Sequence, residues 1–279
     1  MPVAKLGLPP LPSFVIIGAP GCATRWLRFN LDRHPEIYAP PRFGRAEPGF
    51  LFYDEELNGE GLIAYRRGFV GWGGEPILGA LEPRCMIRQT RPSFEDGSVG
   101  EPLTEPVATA ARMARGMPEC RFVLMVRNPV DRLEVAFRRA VELGQLPLDS
   151  DLPSMLAAID LRLISLDIYA GGMYSEAILA FRNRFGDDRL LIQFYDDVVE
   201  DPGRVYRNVL EHIGASPDFV PPELDRVRYE SHDTAPEVHL SDEDRARLYA
   251  FPYRQQIEDL EQLTGRDLSS WKPDLGARV

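Results

Sequence analysis

The chain has 279 residues, 44% of them hydrophobic, and a formal net charge of −11. The apolar content is enough for a sizeable core and excludes a chain that is disordered by composition. The acidic charge disfavours nucleic acid, anionic membrane surfaces and highly sulfated polyanions as main partners.

The N-terminal segment has no apolar run long enough for a signal peptide or a membrane span, which predicts a cytoplasmic protein with no membrane partner. Three widely spaced cysteines, Cys22, Cys85 and Cys120, predict neither a disulfide framework nor a metal site. The length allows one large domain or two small ones. Since no repeat or linker is visible, we expect a single domain over residues 1–279, of undefined oligomeric state.

The first predicted strand, residues 14–17, leads through a small-residue turn into a helix predicted over 24–33. His34-Pro35 ends this helix. A strand, a turn and a helix N-terminus together form an anion site, because backbone N–H groups point at the ligand. The spacing matches neither the nucleotide triphosphatase loop nor the dinucleotide fingerprint, so a tight connection that binds nothing is the alternative.

Residues 40–61 are rich in proline, glycine and charge, which predicts a long surface loop around an aromatic cluster. The pattern then predicts a short helix over 62–69, a strand over 77–81 and a helix over 104–117. The aromatic residues of this part and of the first helix are interpreted as core rather than as a substrate cage; they are Trp26, Phe29, Phe50, Phe52 and Tyr53.

The clearest strand is predicted over 121–126, and a helix with one apolar face follows it as far as Gly144. Strands that alternate with helices indicate an α/β fold with a parallel sheet covered on both faces. The later predicted elements are helices over 146–166, 174–185, 202–213 and 241–263 and a strand over 189–194, with Ser241 as the last N-cap.

The first loop reads Gly-Ala-Pro-Gly-Cys-Ala-Thr-Arg over 18–25, and the clearest strand ends in Arg-Asn-Pro-Val-Asp-Arg over 127–132. With the segments 172–202 and 263–271, these motifs resemble the 3′-phosphoadenosine 5′-phosphosulfate-dependent sulfotransferase family, especially its bacterial and Golgi carbohydrate-type branch. The likeness covers nearly the whole chain in the family's order. It implies a single P-loop-like domain with a central parallel sheet flanked by helices.

The resemblance implies transfer of a sulfonate from 3′-phosphoadenosine 5′-phosphosulfate to a hydroxyl or amine of a small molecule. Glu47 would be the general base that takes the acceptor's proton. Arg25, or Arg45, would replace the cation of the family's loop. The residues that the resemblance assigns to the donor nucleotide are Gly18, Gly21, Cys22, Ala23, Thr24, Arg25, Trp26 and Arg127.

Three positions depart from the family pattern. Gly21 stands where the family has the loop lysine, Val135 where a serine binds the 3′-phosphate, and Ala46 where a lysine precedes the glutamate. The alternative function is therefore a sulfotransferase fold that no longer transfers sulfonate. Such a protein would carry out other biosynthetic chemistry, such as cyclisation or acid–base work, or would only bind a ligand.

Each candidate residue also has a plainer interpretation. Thr24 could only cap its helix, and Glu47 could be a surface carboxylate. Arg127 could form an ion pair with an acidic neighbour. Arg132 is interpreted as part of a solvated or structural face, and Cys22 as a small packing residue.

Overall fold

Five parallel strands form the sheet around which the chain folds. The computed structural model describes residues 8–40, 59–83, 85–87, 89–92, 99–158, 160–226, 238 and 240–273. Within them the strands are β1 (Phe14–Gly18), β2 (Ile37–Tyr38), β3 (Ile77–Leu81), β4 (Gln89–Pro92), β5 (Val99–Thr104), β6 (Arg121–Val126) and β7 (Leu190–Phe194).

The order of strands in the sheet is β2-β3-β1-β6-β7, and β4 and β5 form a separate antiparallel pair. Phe14 pairs with Gly79 of β3 on one side and with Arg121 of β6 on the other. The central strand β1 is buried along its whole length. Its short apolar sequence suits a parallel strand that is covered on both faces.

The helices that follow or separate these strands are of ordinary length for an α/β fold. In the described residues they are α1 (Thr24–Leu31), α2 (Gly59–Arg67), α3 (Pro106–Gly116), α4 (Pro129–Glu142), α5 (Leu152–Ala157), α6 (Leu161–Ser165), α7 (Tyr174–Phe185), α8 (Tyr195–Glu200), α9 (Pro202–Ile213), α10 (Asp242–Leu248) and α11 (Arg254–Thr264).

Helices cover both faces of the sheet. On one face the ring of Phe122 in β6 packs against Phe181 and Phe185 of α7, with ring centroids 4.9 and 4.5 Å away. On the other, the Tyr206 hydroxyl of α9 donates to the carbonyl oxygen of Asn30 in α1 at 3.2 Å. The predicted α/β class, with a parallel sheet flanked by helices, is confirmed.

Several predicted elements are confirmed within a residue or two. The predicted apolar face of α4 is buried, and Gly144 follows the helix with φ +68°. Asn128 caps this helix, since its side-chain oxygen accepts a hydrogen bond from the amide of Val130. Ser241 caps α10 in the predicted way.

The single helix predicted over 146–166 is wrong. Two short helices, α5 and α6, replace it, and each begins at its own aspartate cap, Asp151 and Asp160. The helix predicted over 241–263 is interrupted at Tyr249–Tyr253, because Pro252 cannot continue the hydrogen-bond ladder. The sequence patterns also missed the short elements β2, β4, β5 and α8.

Candidate functional site

The carboxyl end of β1 lies between the carboxyl ends of β3 and β6. The chain continues from β1 toward β3 on one side of the sheet and returns to β6 on the other. Ligands of open α/β sheets bind where the strand order reverses in this way. The loop after β1 and the turn after β6 therefore form the candidate site.

The loop after β1 contains a type II turn over residues 19–22. The amide of Cys22 donates to the carbonyl oxygen of Ala19 at 3.2 Å, which closes the turn. Pro20 fixes a negative φ at the second position, and Gly21 has φ +87° at the third. Only a type II turn combines these two conditions, and it needs glycine or asparagine at the third position.

The turn leaves backbone donors available next to the start of α1. Among the described residues, no hydrogen-bond acceptor lies within reach of the amides of Gly21, Ala23 and Thr24. Ala23, at the N-cap position, has φ +64° and no side-chain oxygen that could accept a hydrogen bond from these amides. Unengaged amides at a helix N-terminus are suited to an anion such as a sulfate or phosphate group.

Arg132 of α4 lies underneath this turn and is 2% exposed. Its Nε donates to the carbonyl oxygen of Pro20 at 2.9 Å, and its terminal nitrogens donate to the carbonyl oxygens of Ile168 at 2.5 Å and Asp167 at 3.3 Å. A Cβ on Gly171 would lie 2.2 Å from its Cζ, so the guanidinium needs glycine there. Arg132 thus belongs to a structural face, and that face supports the loop.

The structure also shows where a side chain at position 21 would point. A Cβ built on Gly21 lies 3.4 Å from Cγ1 of Val135 and 3.5 Å from Cγ of Arg132. Gly21 and Val135, two of the three positions that the sequence analysis expects to differ from the resembled family, are therefore neighbours in space. A lysine at position 21 would be strained by the positive φ, and its Cβ would lie in ordinary van der Waals contact with α4.

Cys22 and Tyr174 join the loop to the turn after β6. The Cys22 thiol lies 3.8 Å from the Tyr174 hydroxyl, which donates to the carbonyl oxygen of Arg127 at 2.8 Å. Burial raises the pKa of the Cys22 thiol to about 11, against the lowering effect of the nearby Arg132 charge. The thiol is therefore protonated at neutral pH and packs rather than reacts.

Arg127 follows β6 at the same edge of the sheet. Its guanidinium carbon lies 4.2 Å from the centre of the Tyr195 ring, a cation–π contact that fixes one face of the group. The edge of a stacked guanidinium can still donate to an anion. Asn128, the next residue, is held by its cap and by a bond to the carbonyl oxygen of Trp271 at 3.3 Å.

The three residues at the start of α1 have different environments. Thr24 is 5% exposed, Arg25 is exposed, and Trp26 is buried with its indole N–H donating to the carbonyl oxygen of Leu224 at 2.8 Å. Trp26 therefore belongs to the core. The interpretation of Phe29 as a core residue is wrong, because its side chain is 40% exposed and its ring lies 4.0 Å from the guanidinium carbon of Arg33.

Glu82 lies at the carboxyl end of β3, one strand from the loop. Its amide donates to the carbonyl oxygen of Ile16 in β1 at 2.9 Å, and its side chain is buried beside Tyr65. Burial raises the pKa of Glu82 to about 8. The segment after it also supports the loop, since a Cβ on Gly18 would lie 2.5 Å from Sδ of Met86.

The proposed general base Glu47 lies outside the described residues, together with Arg45, Ala46, Phe50, Phe52 and Tyr53. In the part of the chain that is described, no group of three histidine, cysteine or acidic side chains could hold a metal ion. No described helix is both long and apolar enough to cross a membrane.

Sequence reasoning missed two features of this edge. Arg132 supports the loop through a hydrogen bond, and Glu82 is buried. The signal for Arg132 was present in the helical spacing, since a residue three before Val135 shares its face of α4. No local pattern predicted the burial of Glu82, because that burial depends on strands and helices that are distant in sequence.

A sulfotransferase from Alicyclobacillus acidocaldarius resembles the chain with a TM-score of 0.71 and 27% sequence identity, over 94% of this chain and 98% of that one. A sulfotransferase domain from the curacin biosynthetic pathway has a TM-score of 0.45, 16% identity and 81% coverage of each chain. A sulfotransferase domain from the Synechococcus PCC 7002 olefin synthase has a TM-score of 0.44 and 16% identity, over 93% of this chain and 90% of that one.

No protein-family model and no curated protein matches the sequence. The first structure agrees with this chain over nearly the full length of both, and the chain has the sulfotransferase fold.

Proposed function

We propose that the protein binds 3′-phosphoadenosine 5′-phosphosulfate at the carboxyl edge of β1 and β6 and transfers its sulfonate to a hydroxyl or amine of a small molecule. The observation that carries the proposal is the set of unengaged amides at Gly21, Ala23 and Thr24, on a sulfotransferase fold. Backbone donors of this kind fit the phosphosulfate end of the donor.

The roles of the other residues follow from their places. Arg127, at the end of β6, would bind the 3′-phosphate through the edge of its guanidinium, while Tyr195 fixes its face. The Thr24 hydroxyl, in the first turn of α1, would bind the 5′-phosphate. Arg25, exposed in the same turn, would contribute the mobile positive charge that Gly21 cannot.

In the transfer, the bond between sulfur and the bridging oxygen of the donor breaks, and a bond from sulfur to the acceptor oxygen or nitrogen forms. The acceptor's proton goes to the carboxylate of Glu47, and adenosine 3′,5′-bisphosphate leaves. The amides of the loop and the Arg132 charge beneath it would stabilise the negative charge on the departing phosphate.

Titration calorimetry with adenosine 3′,5′-bisphosphate tests the binding part of this proposal. Arg127→Met should weaken binding about 10- to 100-fold, because a hydrogen bond to a charged group is lost. The matched control is Arg121→Met, at the opposite end of the same strand, where the guanidinium donates to the carbonyl oxygen of His212. Unchanged affinity in Arg127→Met would contradict the assigned role.

The transfer part needs a separate measurement, in which radiolabelled donor is incubated with a panel of small alcohols, phenols and amines. Label should move to an acceptor with the wild-type protein and not with Glu47→Gln. Tight binding of the bisphosphate without any transfer would instead support the second candidate function.

That second candidate is a sulfotransferase fold that binds a phosphorylated ligand without transferring sulfonate. The backbone at position 21 favours it, because the positive φ of Gly21 disfavours any side chain there, a lysine included. Removing a preorganised donor typically costs about 3–4 kcal/mol in the transition state. A protein without that cation would retain binding more readily than catalysis.

A further inference from the structure

The Pro20–Gly21 peptide is the unit that joins Arg132 to the anion loop. Nε of Arg132 donates to its carbonyl oxygen at 2.9 Å. This peptide is trans, so its N–H, which belongs to Gly21, points away from the guanidinium. The donor that faces a ligand and the acceptor held by Arg132 are thus opposite ends of one planar group.

The orientation of this peptide is also what distinguishes the two common turns. A type I and a type II turn differ by rotation of the central peptide, which reverses the directions of its carbonyl and its N–H. The hydrogen bond from Arg132 is made only with the carbonyl on the α4 side. It therefore selects the type II turn, as does the positive φ of Gly21.

Arg132 has few other ways to satisfy its charge. It is 2% exposed, and among the described residues its partners are the carbonyl oxygens of Pro20, Asp167 and Ile168, with no carboxylate. A buried cation held by carbonyl dipoles polarises them and keeps an uncompensated positive charge in place. That charge raises the affinity of the neighbouring amide for an anion.

We propose that Arg132 is a positioning residue, which fixes the Pro20–Gly21 peptide so that the amide of Gly21 faces a sulfate or phosphate group bound at the loop. The charge acts through the peptide, in a chain from Nε–H to the carbonyl and from N–H to the anion. This inference rests on the proposed function only in that the loop binds an anion.

The test follows the Gly21 amide by NMR in the full-length protein, labelled with ¹⁵N, during titration with sodium sulfate. In the wild type the Gly21 resonance should move with added sulfate. In Arg132→Met the resonance should start at a different position and lose most of that movement. The affinity for adenosine 3′,5′-bisphosphate should also fall about tenfold or more.

Arg66→Met is the matched control. Arg66 also donates to two backbone carbonyl oxygens, those of Pro9 at 2.5 Å and Leu8 at 2.7 Å, but near the amino end of the sheet. This variant loses a similar set of bonds, and the Gly21 response should remain that of the wild type. A folded Arg132→Met with a wild-type Gly21 response and affinity would overturn the inference.

If Arg132→Met does not fold, Gly21→Ala tests the same peptide. Alanine disfavours φ +87°, so the turn should rotate its central peptide, and affinity for sulfate should fall. Wild-type sulfate affinity in Gly21→Ala would contradict the role of this amide.

Two ligands keep this inference separate from the proposed function. A Gly21 response to sulfate that depends on Arg132, without any binding of the bisphosphate, would support the inference and contradict the nucleotide donor. Binding of the bisphosphate that depends on Arg127 but not on Arg132 would support the nucleotide donor and contradict the positioning role of Arg132.

Discussion

Two regions of the molecule bury charge in different ways. In α8, which follows β7, Asp197 is 8% exposed and forms ion pairs with Arg204, at 3.2 Å, and with Arg266. At the carboxyl edge of β1, β3 and β6, the hydrogen-bond acceptors of Arg132 among the described residues are all backbone carbonyl oxygens. Glu82, also at this edge, has no ion pair among the described residues.

The difference separates a region in which buried ionisable groups are paired with opposite charges from one in which they are not. Where opposite charges pair inside the protein, the pair contributes to folding or specificity and little field remains. Where an ionisable group is buried without an opposite charge, its pKa or its partners are unusual, and such groups concentrate at functional sites. The carboxyl edge of β1, β3 and β6 has this second character.

The largest expected contrast between the regions is in the pH dependence of stability. The raised pKa of Glu82 means that the folded protein keeps a proton that the unfolded chain releases above about pH 4.5. The free energy of unfolding should therefore fall as the pH rises from about 4.5 to about 8, by on the order of 4 kcal/mol.

Urea unfolding between pH 5 and pH 9 measures this slope. Glu82→Gln should remove most of it, because the amide cannot lose a proton. The pKa of Asp197 is lowered from its usual value by its two arginines, against the effect of burial, so this carboxyl contributes no slope in that window. An equal slope in Glu82→Gln would assign the pH dependence to another group.

The next largest effect should come from the paired region. Asp197→Ala leaves Arg204 and Arg266 without their shared carboxylate and should lower the free energy of unfolding by about 2–4 kcal/mol. Binding of adenosine 3′,5′-bisphosphate should be unchanged. Glu200→Ala is the control: this carboxylate is 77% exposed and 3.9 Å from Arg204, and its loss should change stability by less than about 0.5 kcal/mol.

Gly171→Ala tests the packing around Arg132, in the region where ionisable groups are buried without an opposite charge. The new methyl group would lie 2.2 Å from Cζ of Arg132, so the guanidinium must move away from the carbonyl oxygens that hold it. We expect a loss of about 1–3 kcal/mol in stability and weaker sulfate binding. Thermal unfolding and a sulfate titration of the same sample measure the two effects. A destabilised variant with unchanged sulfate affinity would show that the packing of Arg132 does not affect anion binding.

The smallest effect is expected for a glycine in the paired region. Gly203 lies in the first turn of α9, where a Cβ would meet only Oδ1 of Asp201, at 3.4 Å. Gly203→Ala should raise stability by about 0.5 kcal/mol through helix propensity and leave sulfate binding unchanged. A destabilised Gly203→Ala would show that the cap at Asp201 has little room.

Much of the fold was predictable because its signals are local. The strand at Phe14 has a continuous apolar run, and the helix before Gly214 has a continuous apolar face and a glycine at its end. The division of residues 146–166 into α5 and α6 was not predictable from periodicity. It depends on the caps at Asp151 and Asp160, which compete with a continuous helix.

The candidate site was predictable in position and not in mechanism. The loop at Gly18 and the turn at Arg127 could be placed at one edge by the rule that parallel strands share their carboxyl ends. The role of Arg132 could not be predicted, because the tertiary fold brings its partners, the carbonyl oxygens of Asp167 and Ile168, to it.

The type II turn at Pro20 and Gly21 also has an entropic consequence. A lysine side chain has a long flexible stem and loses about 2 kcal/mol of rotational freedom when a ligand immobilises it. The Gly21 amide is held by the turn and by Arg132 before any ligand arrives. Its ordering cost is met when the chain folds, so association of an anion at this loop should lose less conformational entropy than it would at a lysine.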